Sequence, residues 1–307
     1  MTTHGSGVDA AIRAPAVAGT FYPARPDALA DLVARLLAEA DRRAASAAPP
    51  EREPAGPPIG LLVPHAGLVY SGLVAAAAWR RLGSFWSDAP VTVVALGTNH
   101  GAAWLRGVAG WGSGAWRTPL GDSPIDGDLA DAIAALGAPY LVDPAAHLGE
   151  HSIEVQLPFI QAVARQARIV PLAVATGTGH DAIAAGARLG ALLAQRRADG
   201  QAVVLAISSD MAHYPWSDAC ARATDELLPP ILGLDPVTLA RSEGDLRTRR
   251  TPGLVCGMCG IEPAVFGLGA LRAMGATGGT YLAAATSADA GGPPDHTVGY
   301  LAVAFTA

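Results

Sequence analysis

Pro64-His65-Ala66-Gly67-Leu68-Val69-Tyr70-Ser71-Gly72 follows the apolar run Ile59-Gly60-Leu61-Leu62-Val63 and leads into an alanine-rich segment over residues 73–82. The pattern reads as buried strand, turn and helix, with Ser71 near the helix N-cap. His65 then stands where a central strand ends, the edge at which open α/β sheets bind ligands. By itself such a histidine is as readily a loop residue bonded to backbone. The same arrangement recurs, however. Val91-Thr92-Val93-Val94-Ala95-Leu96 runs into Gly97-Thr98-Asn99-His100-Gly101, and Ala202-Val203-Val204-Leu205-Ala206-Ile207 runs into Ser208-Ser209-Asp210-Met211-Ala212-His213-Tyr214.

Outward from these strands, the pattern predicts helices from Asp27 to about residue 44, over 128–136, 181–194 with Asp181 as N-cap, 217–228, 236–243 and 262–274. A further helix is expected to open at Glu150-His151-Ser152, with Ser152 a candidate cap and Pro158 either kinking it or lying within its first turns. Residues 169–174 form an apolar run broken by Pro171. Strand and turn structure is expected over 111–124, and the last strands over 280–286 and 298–305. Strands alternating with helices imply an α/β fold, with a mostly parallel central sheet and helices on both faces. Residues 1–12 read as a disordered tail and 45–58 as an exposed linker. The linker lies too near the N-terminus to divide the chain, so residues 13–307 are expected to form a single domain.

Of 307 residues, 50% are hydrophobic and 16% charged, and the net charge is −6. Every basic side chain is arginine; there is no lysine. Without a basic cluster the chain lacks the footprint of a nucleic-acid binder, and without lysine it cannot form a lysine Schiff base. The apolar runs are interrupted before they reach membrane-spanning length, and no signal-peptide pattern opens the chain, so a cytoplasmic protein without membrane partners is expected. The three cysteines, Cys220, Cys256 and Cys259, do not make a secreted disulfide framework.

In a parallel sheet, His65, His100 and His213 share one edge, and Cys256 and Cys259 precede a helix that could point there. Imidazoles and a thiolate suit iron, copper or zinc. Each element has a plainer reading. Cys256 and Cys259 could be a redox pair or half a zinc site, and Cys220 a small buried hydrophobe. His151, beside Glu150, fits capping or support of a neighbouring ligand as well as chemistry. Asp210 could orient a histidine or cap a turn. His4, His147, His180 and His296 lie in tail or loop contexts without a role. Ser209 with His213 could suggest a hydrolase, but no G-x-S-x-G elbow surrounds it.

Taken together, the motifs resemble those of the Memo family, whose bacterial and archaeal members are called AmmeMemoRadiSam system protein B. They run in order through nearly the whole chain: Ala18-Gly19-Thr20-Phe21-Tyr22-Pro23, Pro64-His65-Ala66-Gly67 with Tyr70-Ser71-Gly72, Leu96-Gly97-Thr98-Asn99-His100-Gly101, and Thr118-Pro119-Leu120-Gly121. Glu150-His151-Ser152-Ile153-Glu154-Val155-Gln156-Leu157-Pro158, Ser208-Ser209-Asp210 with His213, and Cys259-Gly260 with Pro263 complete the set. The resemblance implies a fold like that of the class III extradiol ring-cleaving dioxygenases. It implies His65, His100 and Cys259 as ligands of iron(II) or copper, with His213 as acid/base and Asp210 beside it. A metal-dependent oxidoreductase of dioxygenase type on an unknown substrate follows. The alternative, supported by the signalling links of eukaryotic relatives, is a non-catalytic protein that binds metal, a small molecule or a peptide in the same cleft. Gene neighbourhoods in the family imply a pathway shared with AMMECR-type and radical SAM proteins. The family pattern assigns no role to Cys256: it could add a ligand, form a redox disulfide with Cys259 that would gate metal binding, or do neither.

Overall fold

In the computed structural model, which describes residues 12–46 and 56–307, a short strand β1 (Ile12–Arg13) precedes helix α1 (Pro26–Ser46). The His65 turn joins β2 (Gly60–Val63) to α2 (Leu68–Trp86), and His100 follows β3 (Val91–Thr98). Next come β4 (Gly107–Gly110), β5 (Ala115–Thr118), β6 (Gly121–Pro124), α3 (Gly127–Ala134) and β7 (Tyr140–Val142). Then follow α4 (Leu157–Val163), β8 (Ala167–Ala175), α5 (His180–Ala198) and β9 (Val203–Ser208). Helices α6 (Ser217–Leu232), α7 (Pro236–Thr248) and α8 (Ile261–Ala273) lead to β10 (Gly278–Thr286) and β11 (Gly299–Thr306).

The main sheet has the order β10-β11-β2-β9-β3-β8-β4-β7. Its centre, β2, β9, β3 and β8, is parallel, whereas β11 on one side and β4 on the other run antiparallel to their inner neighbours. The sheet is therefore mixed, with the expected parallel strands at its buried centre and antiparallel pairings where the flanks join it. β3 and β9 are buried at every residue, which is why they read as unbroken apolar runs. The crossover through α2 runs from β2 toward β3, and that through α5 runs from β8 back toward β9. Right-handed connections in opposite directions put these helices on opposite faces; α1 packs on α2 and α8 on α5. A small sheet, β1-β5-β6, lies apart.

Pro171 is accommodated inside β8 because β4 ends there: the last position it pairs is Leu172, opposite Gly110. Ser71 is not a cap. α2 begins directly after Gly67, and the Ser71 hydroxyl lies within the helix, donating back to the Ala66 carbonyl. Asp181 is likewise inside α5, whose N-cap is Gly179; its charge sits in the first turn, where the helix dipole favours it. The tail expected over 1–12 lies outside the described residues except for Ile12, which pairs with Ala115, and the expected linker lies mostly outside them. Among the described residues, no helix is long and apolar enough to cross a membrane.

Candidate metal centre

Three imidazoles meet at the carboxyl edge of the parallel strands. The ring centroids of His65 and His100 are 5.3 Å apart, those of His65 and His151 5.5 Å, and those of His100 and His151 4.5 Å in a near-parallel stack. One ligand nitrogen from each of the three lies within 4.8 Å of the others. The Cys259 sulfur stands 3.2 Å from Nε2 of His65. Two glycines permit this approach. A Cβ on Gly97 would meet Ile153 Cγ1 and Ser152 Oγ at 2.7 Å, and one on Gly260 would meet Ser209 Cβ at 2.6 Å.

The hydrogen bonds fix which nitrogen His65 offers. Trp79 can only donate, and its indole N–H bonds Gln156 Oε1 at 2.9 Å, so the Gln156 amide must present Nε2 to Pro64 O and Ser208 Oγ. The single hydroxyl proton of Ser208 is committed to Ser152 O at 2.6 Å. Ser208 Oγ therefore accepts at His65 Nδ1, 3.1 Å away. His65 carries its proton on Nδ1 and turns the lone pair of Nε2 toward Cys259. Burial, followed by the charges of His151 and His100, lowers its pKa well below the ordinary value, so the ring stays neutral.

His100 is held by charge instead. Its Nδ1 lies 2.9 Å from Glu150 Oε1, and the same carboxylate accepts from the backbone N–H groups of His100, His151 and Ser152. Burial alone would raise the Glu150 pKa, but the His100 hydrogen bond, its charge and the backbone donors together carry it well below the carboxylate range. An ionised Glu150 accepts the Nδ1 proton and leaves His100 Nε2 free, the arrangement metal-binding histidines use. His151 is within 3.7 Å of the same oxygen and packs against Phe21, ring centroids 4.6 Å apart.

A buried ion pair supports this segment. Glu154 receives Arg13 Nη1 at 2.6 Å, the Tyr22 hydroxyl at 2.6 Å, and the N–H groups of Ala16 and Val17. Arg13 also donates to the carbonyls of His147 and Glu150 and lies over the Trp116 ring. Glu150, Ser152, Glu154 and Gln156 thus each serve the site through a different contact, which is why the segment is not one continuous helix. Glu150 binds back to residues 151 and 152, a 3₁₀ turn spans Glu154–Gln156, and α4 starts only at Leu157. Ser152 caps nothing; its hydroxyl donates to Thr98 O.

Asp210 forms no hydrogen bond or ion pair with His213. Its Oδ1 accepts the backbone N–H groups of His65 and Ala66, fixing the turn that bears His65, while burial pushes its pKa up to about 7. His213 donates Nδ1–H to Met211 O at 2.8 Å, leaving Nε2 as an acceptor. It is close enough for its charge to lower the His65 pKa. Cys256 is tied to His213 through the backbone, and Cys259 to Asp210. Both thiols are free, and Cys259 is the one in contact with an imidazole. His147 is a buried core residue donating Nε2–H to Ala109 O, and His296 stacks on Tyr214 at 4.1 Å.

The geometry thus brings together His65 and His100, places Cys259 against His65 alone, keeps His213 within electrostatic range of His65, and assigns Asp210 to the backbone. It adds His151 to the cluster, and Glu150, Gln156 and Ser208 as the groups that orient the rings. Their signal was their position within two short motifs, 150–158 for Glu150, His151 and Gln156 and 208–210 for Ser208, not a spacing with its own chemistry.

A family model described as "Memo-like protein" matches residues 13–304. A MEMO1 family protein of Methanopyrus kandleri is 35% identical over 95% of this chain and 98% of its own. Another, of Aquifex aeolicus, is 35% identical over 96% of this chain and 99% of its own. Among solved structures, an uncharacterized protein of Escherichia coli K12 aligns over 80% of this chain and 99% of its own, with 19% identity and a TM-score of 0.49. With a family model spanning nearly all of its length and relatives this similar from end to end, the chain belongs to the Memo family.

Proposed function

We propose that His65 Nε2, His100 Nε2 and the Cys259 thiolate hold one redox-active metal ion, iron(II) or copper, in metal-dependent oxidoreductase chemistry of dioxygenase type on a small molecule. The observation that carries this is that both imidazoles have their Nδ1 protons committed, so that each has an Nε2 lone pair to offer, that of His65 beside a thiol. When bound, such an ion supplies Lewis acidity and one-electron redox chemistry. Burial, together with the charges of Asp210 and Cys256, raises the Cys259 pKa well above the ordinary value. Loading must therefore release a proton, and affinity rises with pH. His213, with Nε2 unprotonated, is the acid/base in this reading. A cytoplasmic setting keeps the thiol reduced.

A second reading, binding without turnover, is favoured by the exposed apolar side chains Val69, Tyr70, Trp104 and Trp216 on the loops and helix starts around this edge. One experiment separates the two. The protein is loaded anaerobically with iron(II) or copper(I), the metal stoichiometry is measured, and dioxygen uptake is followed against a panel of catechols. Ring cleavage that is lost in His213→Ala with metal retained supports the enzyme. Stoichiometric metal without turnover supports binding alone. Undiminished metal affinity in both His65→Ala and Cys259→Ala removes the ligand set. If His151→Ala rather than Cys259→Ala loses the metal, three histidines hold it.

A further inference from the structure

We propose that the free edge of β10 is an interface between two copies of this chain. Among the described residues, β10 pairs with β11 on one side and with nothing on the other. Its nine residues, Gly278–Thr286, contain no charge and no proline, and none is buried, whereas neighbouring β11 is buried at all but its last residue. The opposite edge of the sheet, β7, is only three residues long. Monomers blunt long edges with charges, proline, bulges or covering loops. Here a bulge at Leu282 is the one such device.

A groove of about 520 Å³ runs along this edge, with α1 and α2 as its other wall. Residues 281–286 all line it. Successive side chains of a strand point to opposite faces, so six consecutive lining residues mean that the groove follows the strand edge, where main-chain N–H and C=O groups are presented. Such a groove takes an extended strand. The strand that fits is β10 of a second copy. Antiparallel pairing about a two-fold axis makes one edge complementary to itself. β10 runs parallel to β2, and α2 returns antiparallel, so Arg80 lies beside the start of β10 and Asp289 beyond its end. A two-fold therefore sets the arginine end of one copy against the aspartate end of the other. Arg43 and Arg80 already meet Glu39 and Asp41 within the chain, so this pairing selects register and direction more than affinity. The segment 47–55 is a poor occupant, because Pro49, Pro50 and Pro54 have no N–H to donate.

The test is sedimentation of the full chain up to about 100 µM, the weak end of specific association, with hydrogen exchange of the 278–286 peptides read at low and high concentration. The wild type is expected to dimerise, with β10 exchange slowing as the dimer forms. Ala284→Lys, at an exposed position, is expected to weaken the dimer at least about 10-fold by opposing like charges across the axis, with melting and metal binding unchanged. A wild-type monomer throughout overturns the proposal, whether its β10 amides exchange freely or are protected by residues 1–11 or by an added peptide. A dimer that Ala284→Lys leaves intact, with β10 exchanging freely, overturns it equally.

Discussion

Two buried carboxylates serve the histidine cluster, and their pKa values are driven in opposite directions. Glu150 accepts three backbone N–H groups and the His100 imidazole, and it stays ionised. Asp210 is as deeply buried, but its bonds reach one oxygen from two backbone N–H groups, and its pKa rises to about 7. The difference lies in the donors. The imidazole and backbone hydrogen bonds outweigh desolvation at Glu150, and the two backbone bonds at Asp210 do not. The ligands differ accordingly: His100 is oriented by an anion at a partly exposed site, and His65 by a neutral relay through Ser208, Gln156 and Trp79 in the interior.

The largest effect expected from this contrast is on stability. The folded pKa of Asp210 lies above its unfolded value, so its contribution is fully present below about pH 4 and is lost as pH rises through 7. The loss is up to about 4 kcal/mol for three pKa units. Urea denaturation across that range should show the decline in the wild type and a flatter profile in Asp210→Asn. Glu150 has the opposite sign: its folded pKa is lowered, so its contribution holds above the unfolded value and is lost on further acidification. Glu150→Gln removes the charge that orients His100 and should lower metal affinity about 10- to 100-fold, measured by competition with a chelator. On the neutral side, Ser208→Ala removes the acceptor of His65 Nδ1–H and should cost about 10-fold in the same assay. Smallest is Trp79→Phe, which frees the Gln156 amide to rotate: about 1 kcal/mol of stability and a few-fold in metal affinity are expected. Equal losses from Glu150→Gln and Trp79→Phe would erase the distinction between the two anchors.

The strand ends were legible because β2, β3 and β9 are buried on both faces and so read as apolar runs that stop at a histidine. The antiparallel flanks were not, since pairing direction leaves no mark on composition. The orienting groups were hidden for a related reason. Gln156 meets Trp79 across 77 positions, and Glu150 meets His100 across 50, contacts that no local period records. The helix expected from Glu150 failed because this carboxylate bonds the N–H groups of the next two residues and delays the helix to Leu157. Asp210 showed the limit of proximity in sequence: three positions from His213, it serves His65 instead.

The central claim is that His65 and His100 both carry their protons on Nδ1 and present Nε2 to a shared cation. Long-range nitrogen–proton correlation spectra of the imidazoles, recorded at about pH 8, where unperturbed histidine is neutral, and repeated with one equivalent of zinc as a diamagnetic probe, test it directly. The account predicts the Nδ1–H form for both rings and a shift of both Nε2 resonances on adding zinc. An Nε2–H form at either residue, or resonances that ignore the metal, would contradict it.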